Sequence, residues 1–129
     1  MTAPNPTERE LAILRVLWAR KAPMTVREVH AVLSRGKDTA YTTVLKMLTI
    51  MAEKGLVERD ETERSHSYRP VQPEPEVQAS LLKDLVRRAF SGSALSLVQR
   101  ALDDDMASPE ELEAMSRLIA DAKAKRDKG

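Results

Sequence analysis

The chain has 129 residues, no cysteine, and a formal net charge of +1, which suits one domain with an appendage and leaves no disulfide framework or thiolate metal site. Hydrophobic residues make up 42% and aromatic ones 3%, so the core is aliphatic, and no uninterrupted apolar run approaches the roughly 18 residues that span a bilayer. The near-zero net charge says little about partners, but between residues 20 and 54 seven Lys/Arg stand against three Asp/Glu, a modest footprint for a polyanion.

Met1–Pro6 lacks the apolar region of a secretory signal and reads as a disordered tail, which agrees with a cytoplasmic protein. Thr7-Glu-Arg-Glu10 is a capping box. The helix it opens carries Leu11, Leu14, Val16, Leu17 and Trp18, with Trp18 in the core, and ends near Arg20 before Pro23. Thr25-Val-Arg-Glu28 is a second capping box, opening a short helix to about Leu33 with Val26, Val29 and Leu33 inward. Its N-terminus, with free amides and a favourable dipole, suits a phosphate. His30 on this helix reads as a surface or boundary residue rather than a ligand.

After the turn at Ser34–Asp38, the stretch from Thr39 to Lys54, closed by Gly55, is the centre of the reading. Thr39 is expected as N-cap and Gly55 as the left-handed residue that ends the helix. At about 100° per residue, Ala40, Tyr41, Val44, Leu45, Met47, Leu48, Met51 and Ala52 share one greasy face. Thr42, Thr43, Lys46, Thr49, Ile50 and Glu53 share the other. Threonines around one lysine, with no acid before Glu53, suit a major groove, where hydroxyls, methyls and a cation meet phosphates, base edges and thymine methyls; a plain surface helix fits this stretch as well, and its neighbours decide.

Leu56–Asp60 and Ser65–Arg69 read as two strands joined by a charged tip, with His66 and Tyr68 on one face. Three helices and a hairpin in this order make a winged helix-turn-helix, with the third helix in the groove and the wing beside it. Four acids in the wing, Glu58, Asp60, Glu61 and Glu63, oppose a duplex; Arg64 is the wing's candidate phosphate contact. Pro70-Val-Gln-Pro-Glu-Pro75 is a linker, its prolines unable to continue a strand or start a helix early. The expected division is a DNA-binding domain at 1–72 and a helical dimerisation domain at 73–129.

In the second part, Leu81, Leu82, Leu85, Val86 and Ala89 repeat at helical spacing up to Phe90. Ser91-Gly92-Ser93 interrupts. Leu95, Leu97, Val98 and Leu102 follow, then an acidic break at Asp103–Asp105. Ser108-Pro-Glu-Glu111 starts a last helix with Leu112, Met115, Leu118 and Ile119 as its stripe and Lys125, Arg126 and Lys128 at its end. So short a segment buries too little surface alone. A second copy supplies the rest in a twofold homodimer, whose two winged helices read an inverted-repeat site. The expected clamp comprises Leu82, Leu85, Val86, Phe90, Leu95, Val98, Leu112, Met115, Leu118 and Ile119.

An enzyme is the weakest reading. The two histidines, His30 and His66, lie on unrelated elements, no Gly-rich loop cradles a phosphate, and consecutive aspartates at 103–105 point apart rather than at one metal. No cofactor or metal is expected. The alternative to DNA binding is a winged helix used for protein contacts, since fold alone does not assign function. Such a face would expose more large apolar groups than Ile50.

The ordered set Glu10-Leu-Ala-Ile-Leu-Arg-Val-Leu-Trp18, Thr25-Val-Arg-Glu-Val29, Ala40-Tyr-Thr-Thr-Val44, Glu53-Lys-Gly-Leu-Val57, Phe90-Ser-Gly-Ser93 and Ser108-Pro-Glu-Glu-Leu112 resembles the penicillinase-repressor (BlaI/MecI-type) family of bacterial winged-helix repressors, from about Thr7 to Ile119. The resemblance implies a homodimeric repressor on dyads of the TACA/TGTA kind. It places Thr42, Thr43 and Lys46 at the recognition-helix positions facing the groove and matches Arg64 and Tyr68 to the wing; with Thr25 and Thr39 these are the expected DNA-binding residues. It also implies release by a protease linked to a membrane-bound β-lactam sensor. The family's scissile Asn-Phe falls at Gln99-Arg100-Ala101, the candidate cleavage region, and an Arg common near the end of its recognition helix is Ile50. The copper-responsive relatives bind metal through C-terminal cysteines, which this chain lacks.

Overall fold

A computed structural model describes residues 4–128. The chain forms two compact units, Met1–Leu82 and Lys83–Gly129. The first contains α1 (Glu8–Arg20), β1 (Met24–Thr25), α2 (Val26–Leu33), α3 (Tyr41–Lys54), β2 (Val57–Asp60) and β3 (Ser67–Pro70). α4 (Glu74–Ala89) leads into the second, which holds α5 (Ala94–Asp103) and α6 (Pro109–Lys128).

Both expected capping boxes form. Thr7 Oγ1 accepts from the Glu10 amide at 3.3 Å while the Glu10 carboxylate accepts from the Thr7 amide at 2.9 Å. Thr25 and Glu28 repeat the exchange at 3.2 and 2.9 Å. Each satisfies two backbone donors that a helix start leaves open. At the end of α3, Gly55 takes φ 83° and the Leu56 amide returns to the Met51 carbonyl at 2.9 Å, a Schellman closure that needs a residue at ease with positive φ.

The core is aliphatic around one tyrosine. Ile13, Leu14 and Leu17 of α1 meet Val26 and Val29 of α2, Val44, Leu48 and Met51 of α3, and Met24, Leu56, Val57 and Tyr68. Each such side chain contributes about 1.5–3 kcal/mol on burial. Trp18 lies half-buried against this cluster and its indole N–H donates to the Gln72 carbonyl at 3.0 Å.

The sheet has the order β1-β3-β2, all antiparallel. Glu58 stands opposite Arg69, and Arg59 opposite Tyr68. β1 is absent from the sequence expectation: two residues carry no periodicity, and they become a strand only because β3 offers an edge.

Other boundaries also shift. β3 begins at Ser67 and takes in Pro70, so His66 lies outside it and is exposed while Tyr68 is buried. α4 starts at Glu74, inside the expected linker, because Pro75 falls in its first turn, where a missing N–H costs nothing. The expected tail divides: Met1–Ala3 lie outside the described residues, whereas Asn5 is half-buried and its Oδ1 accepts from Ser80 Oγ at 2.8 Å.

In the second unit Ser91 and Gly92 turn the chain at φ 51° and 82°. Ser93 caps α5 through the Ser96 amide at 3.0 Å. Ser108 and Glu111 form a third capping box, at 3.1 Å in both directions. No residue of α5 or α6 is buried. No described helix is long and apolar enough to cross a membrane.

Candidate nucleic-acid interface

α3 buries only a narrow stripe, Val44, Leu48 and Met51. The outward arc therefore runs from Tyr41 and Leu45, through Thr49, Thr42 and Lys46, to Ile50 and Thr43 at the far margin. Thr42 and Lys46 are exposed and Thr43 is half-buried. The expected greasy face is thus too wide: Tyr41 and Leu45 remain 45% and 42% exposed, because α1, α2 and the sheet cover less than half of the helix. Thr49 turns its hydroxyl back to the Leu45 carbonyl at 2.8 Å, leaving its methyl outward.

Thr39 is not the N-cap. α3 begins at Tyr41 with Ala40 in the cap position and no side-chain cap. The Thr39 hydroxyl donates to the Lys37 carbonyl at 3.2 Å, and its own carbonyl lies 2.6 Å from His30 Nε2 and accepts from Ser34 Oγ at 3.4 Å. The His30 and Tyr41 rings meet edge to face, centroids 5.8 Å apart. His30 therefore bridges α2 to the start of α3, a role its sequence context did not signal.

Tyr68 also departs from expectation. At 2% exposure its ring belongs to the core, so it forms the floor of a cleft rather than a projecting contact. That cleft, about 390 Å³, lies between the start of α2, α3 and the wing, lined by Thr25, Arg27, Tyr41, Leu45, Arg64 and His66 among others. Arg27 was missed. A cation in the first turn of a helix opposes its dipole, which is itself a sign of an anion from outside.

The acids around this surface are largely committed. Glu28 pairs with Arg20 at 2.7 Å, Glu58 with Arg69 at 2.7 Å and Glu61 with Arg59 at 2.8 Å. The Thr25 amide holds the Glu28 carboxyl below its ordinary range, with Arg20 assisting against desolvation. The Thr62 amide, 2.9 Å from Asp60 Oδ1, does the same for Asp60. Arg27, Lys46 and Arg64 have no ionic partner among the described residues. The wing is therefore nearly self-neutralised, with Arg64 as its free cation.

The expected clamp residues sit on α4, α5 and α6. Leu82, Leu85, Leu95, Val98, Leu112, Leu118 and Ile119 are exposed, Leu95 at 76%, while Val86, Phe90 and Met115 are half-buried. Gln99, Arg100 and Ala101 lie inside α5, the first two exposed.

A family model described as penicillinase repressor matches residues 6–121. The transcriptional regulator BlaI of Mycobacterium tuberculosis is 36% identical over 116 residues, 89% of this chain and 83% of that protein. The penicillinase repressor of Bacillus licheniformis is 23% identical over 120 residues, 93% of each chain. Among solved structures, the DNA-binding domain of the repressor BlaI aligns with a TM-score of 0.50 and 25% identity over 57% of this chain and 88% of that one. The Bacillus licheniformis BlaI monomeric form in complex with the blaP half-operator gives 0.50 and 24% over 58% and 90%, which speaks for the fold.

Proposed function

The chain belongs to the penicillinase-repressor family of DNA-binding transcriptional regulators, and from that premise we propose that it acts in the cytoplasm as a homodimer on an inverted-repeat operator. One observation carries the reading: the outward arc of α3 presents Thr42, Thr43 and an unpaired Lys46, and the cleft beside it holds Arg27, Arg64 and no carboxylate. Lys46 supplies a phosphate contact, and Thr42 and Thr43 face base edges. The free amides at the start of α2, beside Thr25, favour a further phosphate. The exposed apolar side chains of α4 to α6 supply the subunit contact.

Exposure of Tyr41 and Leu45 favours the second reading, a winged helix that binds protein, since such a face is richer in large apolar groups. The carboxylate-free lining of the cleft favours a polyanion, and we give it more weight because the chain belongs to a family of DNA-binding regulators.

Release by proteolysis at Gln99-Arg100-Ala101, through a membrane-linked sensor protease, completes the proposal. That peptide sits in α5, so cutting follows unwinding of the helix.

Selection of bound duplexes from a random pool at stated salt tests the reading. The expected product is a sequence with dyad symmetry. An unenriched pool overturns DNA recognition, and enrichment of single, unpaired half-sites overturns the dimeric operator.

A further inference from the structure

On a helix otherwise suited to polar contacts, Leu45 has no obvious reason to be open. It is 42% exposed, and Tyr41, one turn earlier on the same side, is 45% exposed. Side chains at i and i+4 lie one above the other, so the two make a continuous apolar strip along the margin of α3. The strip faces the cleft whose other walls are the start of α2 and the wing loop.

The charge around the strip identifies its occupant. Arg27 from the start of α2 and Arg64 and His66 from the wing line the same cleft as the strip, and no carboxylate does. The comparable hollow between Pro23 and the wing strands is lined by Glu58, Asp60 and Glu61, so the chain does place acids in surface hollows elsewhere. A wholly apolar surface that covered Tyr41 and Leu45 would give the two arginines nothing to meet, and the family of this chain selects a duplex over an acidic protein surface. A duplex brings both: phosphates on each side of the major groove, and between them one apolar group on a base edge, the C5-methyl of thymine.

We infer that Leu45, backed by Tyr41, is a specificity-determining residue that reads a thymine methyl, with Arg27 and Arg64 meeting the phosphates that frame it. The inference rests on the DNA-binding reading and adds to it a base identity at one position of each half-site. Cytosine and uracil lack the methyl, so both are discriminated against. Burying one methyl is worth about a fourfold change in affinity per half-site. A polar or smaller side chain at 45 forfeits the preference without disturbing the phosphate contacts.

The test uses the full chain and a duplex recovered by selection from a random pool. Deoxyuridine replaces thymidine one position at a time, which removes the methyl and leaves every hydrogen-bonding group. Wild-type protein is expected to lose about fourfold in affinity at one thymine of each half-site. Leu45→Ala, which alters both subunits, is expected to bind the unmodified duplex about sixteenfold less tightly and to be indifferent to the same replacement. Equal affinity of the wild type for all thymine and uracil versions overturns the inference while leaving DNA binding intact. A Leu45→Ala protein as sensitive to the replacement as wild type overturns the assignment to Leu45. Failure to recover any bound duplex overturns the DNA reading and this inference with it. The wild-type comparison needs no variant, so a folding defect in Leu45→Ala does not blunt the result.

Discussion

The ammonium of Lys54, the last residue of α3, lies 2.8 Å from the carboxylate of Glu10 in the first turn of α1. Glu10 is only 5% exposed, yet it is fully provided for, since it also accepts from the Thr7 amide. Burial pushes its carboxyl up, but Lys54 and Thr7 together outweigh that and hold it below its ordinary value of 4.5. The pair anchors the C-terminal end of the outward-facing helix to the helix that opens the domain. Glu10→Gln is expected to cost about 1–3 kcal/mol of unfolding free energy at pH 7. Because the folded carboxyl is the stronger acid, this stabilisation is full above its ordinary value and fades as pH falls through the lowered one. Urea unfolding of wild type and variant between pH 7 and pH 3 should show the two converging on acidification. A gap that stays constant to pH 3 would mean the charge of Glu10 contributes nothing.

His30 closes the turn between α2 and α3 through the Thr39 carbonyl at 2.6 Å. α3 has no side-chain cap of its own, so this contact helps to fix where it starts. His30→Ala should speed hydrogen exchange in the first turn of α3 by about tenfold, the worth of one hydrogen bond. His30→Gln, which keeps a donor, should recover part of the protection. Unchanged exchange in His30→Ala would show that packing of Tyr41 alone sets the helix start.

Lys46 is exposed and unpaired on the outward arc, whereas Arg59 is paired with Glu61. Lys46→Ala should reduce the slope of log affinity against log salt by about 0.9 per subunit, the mark of one lost phosphate neutralisation. Arg59→Ala should leave the slope near that of wild type. Equal slopes for wild type and Lys46→Ala would move Lys46 away from phosphate.

Leu95 is 76% exposed on α5, so a charge there costs a single subunit little. Leu95→Glu should retain helical circular dichroism and yield monomers by light scattering at micromolar concentration, where the wild type is expected to be a dimer. A variant that remains dimeric would place the subunit contact on other side chains of the second unit.

Much of this architecture is legible locally. The capping boxes at Thr7 and Thr25 and the helix start at Ser108 are each settled within four residues; the two boxes form as expected, and Ser108 with Glu111 adds a third. What sequence misplaced depends on distant partners. Thr39 looks like a cap by residue type, but its hydroxyl goes to Lys37 and its carbonyl to His30. β1 exists only beside β3. Tyr68 shares its strand with exposed Arg69, and only the packed core decides which of them turns inward. On α3, the exposure of Thr42 and Lys46 was legible from periodicity. That of Tyr41 and Leu45 was not, because helical spacing assigns them to the same side as Val44 and Leu48 and cannot tell how wide a stripe the neighbours cover.

The wing's ion pairs, Glu58 with Arg69 and Arg59 with Glu61, bear on how a regulator of this kind spends its time. A genome offers on the order of 10⁶–10⁹ competing stretches, and a strongly cationic surface dwells on all of them. A hairpin that already holds its own counter-charges adds little to that indiscriminate hold. Occupancy at a target is then left to the few side chains that touch bases, and departure from a wrong stretch is quick.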